Sequence, residues 1–199
     1  MGARETRQQI VDVADRLFYE QGFETTSFAD IAASVGLSRG NFYYHFKTKD
    51  EILDAVIVQR VANTRSMLMA WEQEAVSPTE CIRRFIRILI ANRPKIMAYG
   101  CPVGTLCNEL AKLKHVAKDD ATGPFALFRD WLGRQFVRLG RKKDADALAL
   151  HLLMRSQGIA TLATAFGDVD FIDREVADME AWLHSQRPAS PNADSLQPA

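Results

Sequence analysis

Ser27-Phe28-Ala29-Asp30-Ile31-Ala32-Ala33-Ser34-Val35-Gly36-Leu37-Ser38-Arg39-Gly40-Asn41-Phe42-Tyr43-Tyr44-His45-Phe46-Lys47-Thr48-Lys49 is the stretch that decides the fold. Ser27 and Asp30 stand three apart, the spacing of a capping box, and open a short helix through Ile31 and Val35. Gly36 permits the tight turn, Leu37 is apolar, and Ser38 can cap a second helix from Arg39 to about Phe46. Two short helices joined at Gly36-Leu37-Ser38 have helix-turn-helix spacing. Ile31, Val35 and Leu37 would hold the pair together. The second helix presents Arg39, Asn41, Tyr43, Tyr44 and His45, types suited to a major groove: Arg pairs with guanine edges, Asn with adenine, and aromatic faces touch thymine methyls. Lys47 and Lys49 flank the next helix start, where backbone N–H groups also favour a phosphate, and Thr26 and Ser27 lie at another such start.

Outward from that stretch the chain reads as all-α. An amphipathic helix over about Arg4–Gln21 carries Ile10, Val13, Ala14, Leu17 and Phe18 on one face and stops at Gly22. Thr48-Lys49-Asp50-Glu51 opens a long helix to about Glu74, and Ser77-Pro78-Thr79-Glu80 opens another that stops before Pro94. A loop around Tyr99-Gly100-Cys101-Pro102 precedes a helix from Val103 to His115. Further helices surround Phe125–Phe136, run from Asp144 to Phe166, and start at Asp170, about nine in all. The segment from Pro188 has the composition of a disordered tail.

The chain has 199 residues, 47% hydrophobic and 25% charged. That is enough apolar material for a core, which excludes global disorder. Lys plus Arg and Asp plus Glu both number 25, which excludes a histone-like polycation but not a focused basic patch. Residues 1–50 carry six basic and seven acidic side chains, with Arg39, Lys47 and Lys49 clustered at the proposed reading face and Arg4 and Arg7 close by. Binding there would use few phosphates and be salt-sensitive. No apolar run approaches the ~18 residues of a membrane span, and the first residues carry no apolar signal stretch, so a cytoplasmic protein without a membrane partner is expected. Three cysteines do not suggest a disulfide scaffold. Four scattered histidines lack ligand spacing, so neither a metal nor another cofactor is expected, and no Ser-His-Asp set, phosphate loop or carboxylate pair suggests an enzyme. A ligand- or partner-binding helical protein without DNA function is disfavoured by the reading-helix chemistry.

Thr25-Thr26-Ser27-Phe28-Ala29-Asp30-Ile31-Ala32 followed by Val35–Lys49, with Ala14-Asp15-Arg16-Leu17-Phe18 and Gly22-Phe23 upstream, resembles the TetR family of transcriptional repressors over roughly residues 5–60. The resemblance implies a three-helix DNA-binding domain (1–50), a helical effector-binding and dimerisation domain (51–187) ahead of the tail (188–199), and a homodimer on a near-palindromic double-stranded operator. It also implies release by a small-molecule effector. Carried over by position, Arg39, Gly40 and Asn41 would face bases, and Tyr43, Tyr44, His45 and Lys49 would contact phosphates or bases. Thr26, Ser27, Ser38 and Lys47 complete the DNA-contact set, while Phe42 and Phe46 point inward. Lys47 could instead be a solvated charge, the tyrosines half-buried packing, and His45 the junction with the fourth helix.

The resemblance places an effector cavity among the middle helices, where Met67, Trp71, Phe85, Met97, Tyr99, Phe125, Phe128, Trp131 and Met154 are large and adaptable; Cys101 and Cys107 join that set. On the penultimate helix Leu148, Leu152, Ile159 and Ala163 share a face. On the last, Ile172, Val176, Met179 and Leu183 recur at three and four, with Phe171 and Trp182 beside them. Paired across two subunits these would form the four-helix dimer contact implied by the resemblance; the competing reading is intramolecular core. Cys101 stands near a helix start, where the dipole lowers a thiol pKa. Because some similar regulators sense oxidants or electrophiles at a Gly-Cys here, a thiol-based repressor is the alternative function. Cys101 and Cys107 are six apart and would not pair within one regular helix.

Overall fold

A computed structural model describes residues 2–186; Met1 and residues 187–199, on which the expectation of a disordered tail falls, lie outside the described residues. Ten α-helices follow one another: α1 (Ala3–Gln21), α2 (Phe28–Val35), α3 (Arg39–His45), α4 (Lys49–Glu74), α5 (Pro78–Ala91), α6 (Arg93–Tyr99), α7 (Pro102–Lys112), α8 (Gly123–Arg138), α9 (Ala145–Phe166) and α10 (Phe171–Ser185). Two single 3₁₀ turns, Val116–Lys118 and Asp120–Thr122, link α7 to α8. The described residues contain no strand, and no helix among them is long and apolar enough to cross a membrane.

The caps that the sequence proposes set the boundaries. Asp30 N donates to Ser27 Oγ at 3.1 Å and Ser27 N donates to Asp30 Oδ2 at 2.8 Å, a reciprocal box. Those bonds from Ser27 hold the Asp30 carboxyl below its usual range, so the box is intact at neutral pH and is lost in acid. Thr48 Oγ1 accepts from Glu51 N at 3.1 Å, but the Glu51 carboxylate takes the Lys47 N–H instead, one residue out of register. Gly36 adopts φ +70° and sends its N–H to Ala33 O at 3.1 Å, the left-handed close of α2.

One helix was not expected. Pro94 reads as a stop, yet Asn92 ends α5 and at once opens α6, with Pro94 inside its first turn, where a missing N–H costs nothing. The non-helical joint shrinks to Gly100-Cys101, and α7 ends at Lys112 rather than His115.

Two apolar cores result. The first gathers Ile10, Ala14, Leu17 and Phe18 of α1, Ile31 of α2, Phe42 of α3, Phe46 just beyond it, and Ile52, Leu53, Val56 and Ile57 of α4. It also takes Leu106 and Leu110 from α7. The second lies among α5, α8, α9 and α10, and Leu68 near the far end of α4 belongs to it. The 26-residue α4, about 39 Å long, therefore crosses from one core to the other.

The proposed dimer face is corrected here. Leu152, Ile159, Ala163, Ile172, Val176, Met179 and Leu183 are all buried within their own chain, and Leu148 and Trp182 pack half-buried against the same core. Trp182 stacks on His151 at 4.5 Å. Helix α9 is apolar on two sides, and periodicity alone cannot say which side meets its own chain. Its outward side carries Leu150, Met154, Leu162 and Phe166, the last 78% exposed.

Phe42 is 0% exposed, and its ring meets Phe28 edge-on at 4.7 Å. Phe42→Ala is expected to cost about 3–5 kcal/mol, read as a lower denaturation midpoint; a midpoint within error of the parent would contradict this assignment to the core.

Candidate nucleic-acid interface and ligand cavity

Helix α3 is fixed from below and open above. Phe42 and Phe46 hold its inner side, while Ser38, Arg39, Gly40, Asn41, Tyr43 and Tyr44 are exposed on the other. Ser38 Oγ caps the helix by accepting from Asn41 N at 3.4 Å, and Ser27 Oγ does the same for α2, so both hydroxyls already serve their helices while remaining at the surface. Arg39 lies 5.7 Å from the Tyr43 ring, and Tyr43 in turn rests on Phe28 at 5.0 Å. The pair is therefore braced before any duplex arrives. Tyr44 is 72% exposed and touches His45 edge-on at 5.1 Å.

Three proposed contacts stand differently from the rest. Thr26 is fully buried, and its hydroxyl donates to Gly22 O at 2.7 Å; it is a structural side chain with no face toward a phosphate. Lys49 Nζ donates to Phe23 O at 2.8 Å and sits 4.2 Å from the Phe23 ring centre, so this ammonium closes the α1–α2 turn. Lys47 is exposed, with Nζ turned back on the Tyr43 carbonyl. The acids of α1 face elsewhere: Asp12 accepts from Gln59 at 2.8 Å and Asp15 from Arg60 at 2.6 Å, both on α4. Arg7 lies 4.5 Å from the Phe46 ring, adding a cation beside α3.

A second feature is an apolar cavity of about 180 Å³ among α4, α5, α6, α8 and α9 and the α6–α7 joint. Of the proposed effector residues, Met67, Phe85, Cys101, Phe125 and Phe128 line it. The others do not. Trp131 is 1% exposed core against Trp71, 5.9 Å away. Met97 packs against the second core from the side, and Tyr99 stacks on Tyr19 at 5.5 Å. Cys107 packs against the first core and donates to Ala121 O at 3.2 Å, and Met154 is 65% exposed on the outer side of α9. Size and polarisability mark residues able to line a cavity, but do not separate them from core. Sequence reasoning missed Thr64, Asn92, Ser156 and Gln157, the polar atoms in the wall. The polar run Arg155-Ser156-Gln157 in the middle of the largely apolar α9 was the available signal for Gln157.

Cys101 caps α7, its Sγ accepting from Gly104 N at 3.5 Å and from Gln157 Nε2 at 3.4 Å. Burial pushes the Cys107 thiol up, away from the reactive thiolate. The thiol-sensing alternative finds no support in this arrangement.

The cavity wall and the reading head meet at the α6–α7 joint. Tyr19 of α1 donates its hydroxyl to Gly100 O at 2.7 Å, and partial burial pushes that phenol up to about 12, so it stays a donor at neutral pH. Arg60 bridges Asp15 and Pro102 O, each at 2.6 Å. Glu109 of α7 receives Phe23 N at 2.9 Å and Glu24 N at 2.8 Å, one carboxylate spanning the α1–α2 turn. Cys101 and Pro102 are at once cavity wall and neighbours of these bonds.

A family model described as bacterial regulatory proteins, tetR family, matches residues 10–56. The regulator TtgR of Pseudomonas putida is 38% identical over 85 residues, 42% of this chain and 40% of its own length. The chain thus aligns with only about two fifths of that relative. The repressor DhaR of a Mycobacterium species is 23% identical over 168 residues, 79% of this chain and 82% of its own. Among solved structures, a TetR-family transcriptional regulator from Streptomyces coelicolor superposes with a TM-score of 0.80 at 21% identity, covering 93% of this chain and 97% of that one. The last likeness is one of fold.

Gly40 is helical and a Cβ there would meet nothing within 4 Å in the free protein. Gly40→Ala is expected to stabilise the free chain by about 0.5–1 kcal/mol and to weaken DNA binding, because the methyl would stand in the approach to the bases. A melt and a binding isotherm on the same preparation check both; unchanged DNA affinity would remove Gly40 from the contact surface.

Proposed function

We propose that this chain, whose residues 10–56 match the tetR family model of bacterial regulatory proteins, is a DNA-binding transcriptional regulator of that family rather than an enzyme, and a repressor released from its operator by a small-molecule effector. The observation that carries this reading is the shared joint. The segment Gly100–Pro102 borders the cavity on one side and is hydrogen-bonded to α1 and α4 on the other. A molecule that favours one setting of Cys101 and Pro102 shifts α1, and α3 moves with α1 because both are sealed into the first core. Only a difference in ligand affinity between the two settings does this, and coupling of about 1–3 kcal/mol suffices for a 5–150-fold change in operator affinity.

Arg39 and Asn41 supply the base-edge chemistry, with Gly40 allowing close approach, and Ser27, Ser38, Tyr43, Tyr44, His45 and Lys47 frame the contact. Lys49 contributes by fixing the α1–α2 turn. One helix of this length reads too little sequence, so two copies are needed, on half-sites about 34–36 Å apart or a multiple of that. The outward side of α9, with Leu150, Met154, Leu162 and Phe166, is the surface we assign to the second copy. We place the protein in the cytoplasm, where its DNA is.

Arg39→Ala or Tyr43→Ala is expected to weaken binding to DNA upstream of the protein's own gene by at least tenfold in a gel shift, while size-exclusion chromatography still shows a folded dimer. Retained binding by both variants would overturn the reading head. Tyr19→Phe is expected to leave effector affinity within about twofold and to cut effector-driven release several-fold, since it removes one hydrogen bond worth about 1 kcal/mol. Undiminished release would take Tyr19 out of the coupling.

A further inference from the structure

We propose that the effector is a neutral, chiefly apolar molecule of about one ring, carrying a single hydroxyl or carbonyl oxygen that meets the side-chain amide of Gln157. This deepens the release reading above and rests on it.

Size is the first argument. An apolar cavity of about 150 Å³ accepts benzene. At about 180 Å³ this one holds roughly seven or eight non-hydrogen atoms by the same scale. Charge is the second. No Asp, Glu, Lys, Arg or His is among the described lining residues, which are mainly Phe, Ile, Leu, Met and Val. An ionised ligand would enter without a partner and lose its hydration, a cost that in practice keeps such groups out or neutralises them. Anionic thioesters and permanent cations are therefore excluded on the same ground.

The oxygen comes from Gln157. Its Nε2 reaches Cys101 Sγ and Ser156 Oγ only at 3.4 Å each, a weak set of acceptors for an amide in an apolar wall. Its Oε1 occupies the space that a side chain at Gly104 would need, 2.4 Å from where a Cβ would stand. Gly104 thus makes room for the amide, and Cys101 beside it is in the joint. A ligand oxygen accepting from Nε2 would replace the weak sulfur acceptor Cys101 Sγ, which ties occupancy to the segment that holds α1. Apolar bulk supplies the affinity and the amide sets the orientation.

Titration calorimetry on the full-length protein tests this with four probes at neutral pH: p-cresol, toluene, benzoate and 4-benzylphenol. The expected result is saturable binding of one p-cresol per protomer, at least tenfold tighter than benzoate or 4-benzylphenol. Gln157→Leu should weaken p-cresol at least tenfold and leave toluene within about threefold. Ala160→Leu, which fills the wall, should abolish both, with a melt confirming that the variant is folded. Equal or tighter binding of benzoate or 4-benzylphenol overturns the ligand class, as does p-cresol binding that neither variant alters. Release of operator DNA by 4-benzylphenol alone would sink the class and leave the release reading standing. Binding of p-cresol as described, with no effect on operator DNA, would do the reverse.

Discussion

The carboxylate of Glu109 holds two adjacent backbone N–H groups, those of Phe23 and Glu24, across 85 and 86 residues of sequence. A charged acceptor on two main-chain donors is among the stronger neutral-pH contacts a protein makes, about 1.5–3 kcal/mol for each bond. It fastens α7 to the α1–α2 turn, and Lys49 closes the same turn from the other side. Tyr19 on Gly100 O and Arg60 on Pro102 O extend the fastening along α1 and α4. The consequence is mechanical. The helix-turn-helix is not built from its own residues alone: its core is completed by Leu106 and Leu110 of α7.

The same arrangement explains why the cavity needs little polarity. On the release reading proposed above, control of DNA binding requires that occupancy be felt at the joint, not that the ligand be gripped by charges. Cys101 and Pro102 are wall residues whose neighbours Gly100 and Pro102 present carbonyls to α1 and α4, so a displacement on the apolar side reaches a hydrogen bond within one or two residues. Packed interiors transmit such displacements because they compress little.

What could be read from the sequence was local. Ser27 with Asp30, Gly36 and Ser38 fix the ends of α2 and α3 through contacts three residues apart, and these the structure reproduces bond for bond. Phe42 and Phe46 are inward by the family resemblance, and the structure buries both. Pro94 misled because the residue that ends a helix also begins one when it is followed by a capable start, and the sequence signal is the same. Thr26 and Lys49 looked like phosphate contacts, since a hydroxyl and an ammonium at a helix start can serve as such; only the tertiary fold shows their atoms committed to Gly22 O and Phe23 O. The dimer residues were misplaced for a related reason: α9 is apolar on opposite sides, and nothing in its spacing distinguishes a face that meets α8 and α10 from one that meets solvent. Glu109, Tyr19 and Arg60 left no trace at all, since contacts between residues more than 40 apart have no period.

Amide hydrogen exchange on the free and p-cresol-saturated protein addresses the central claim directly, because it reports on the donors themselves. The account predicts that filling the cavity changes protection at the Phe23 and Glu24 amides, which donate to Glu109 of α7, the helix that begins at the joint, while amides at the core of α3 such as Phe42 keep theirs. Changes confined to α5, α8 and α9, with Phe23 and Glu24 unaffected, would contradict it.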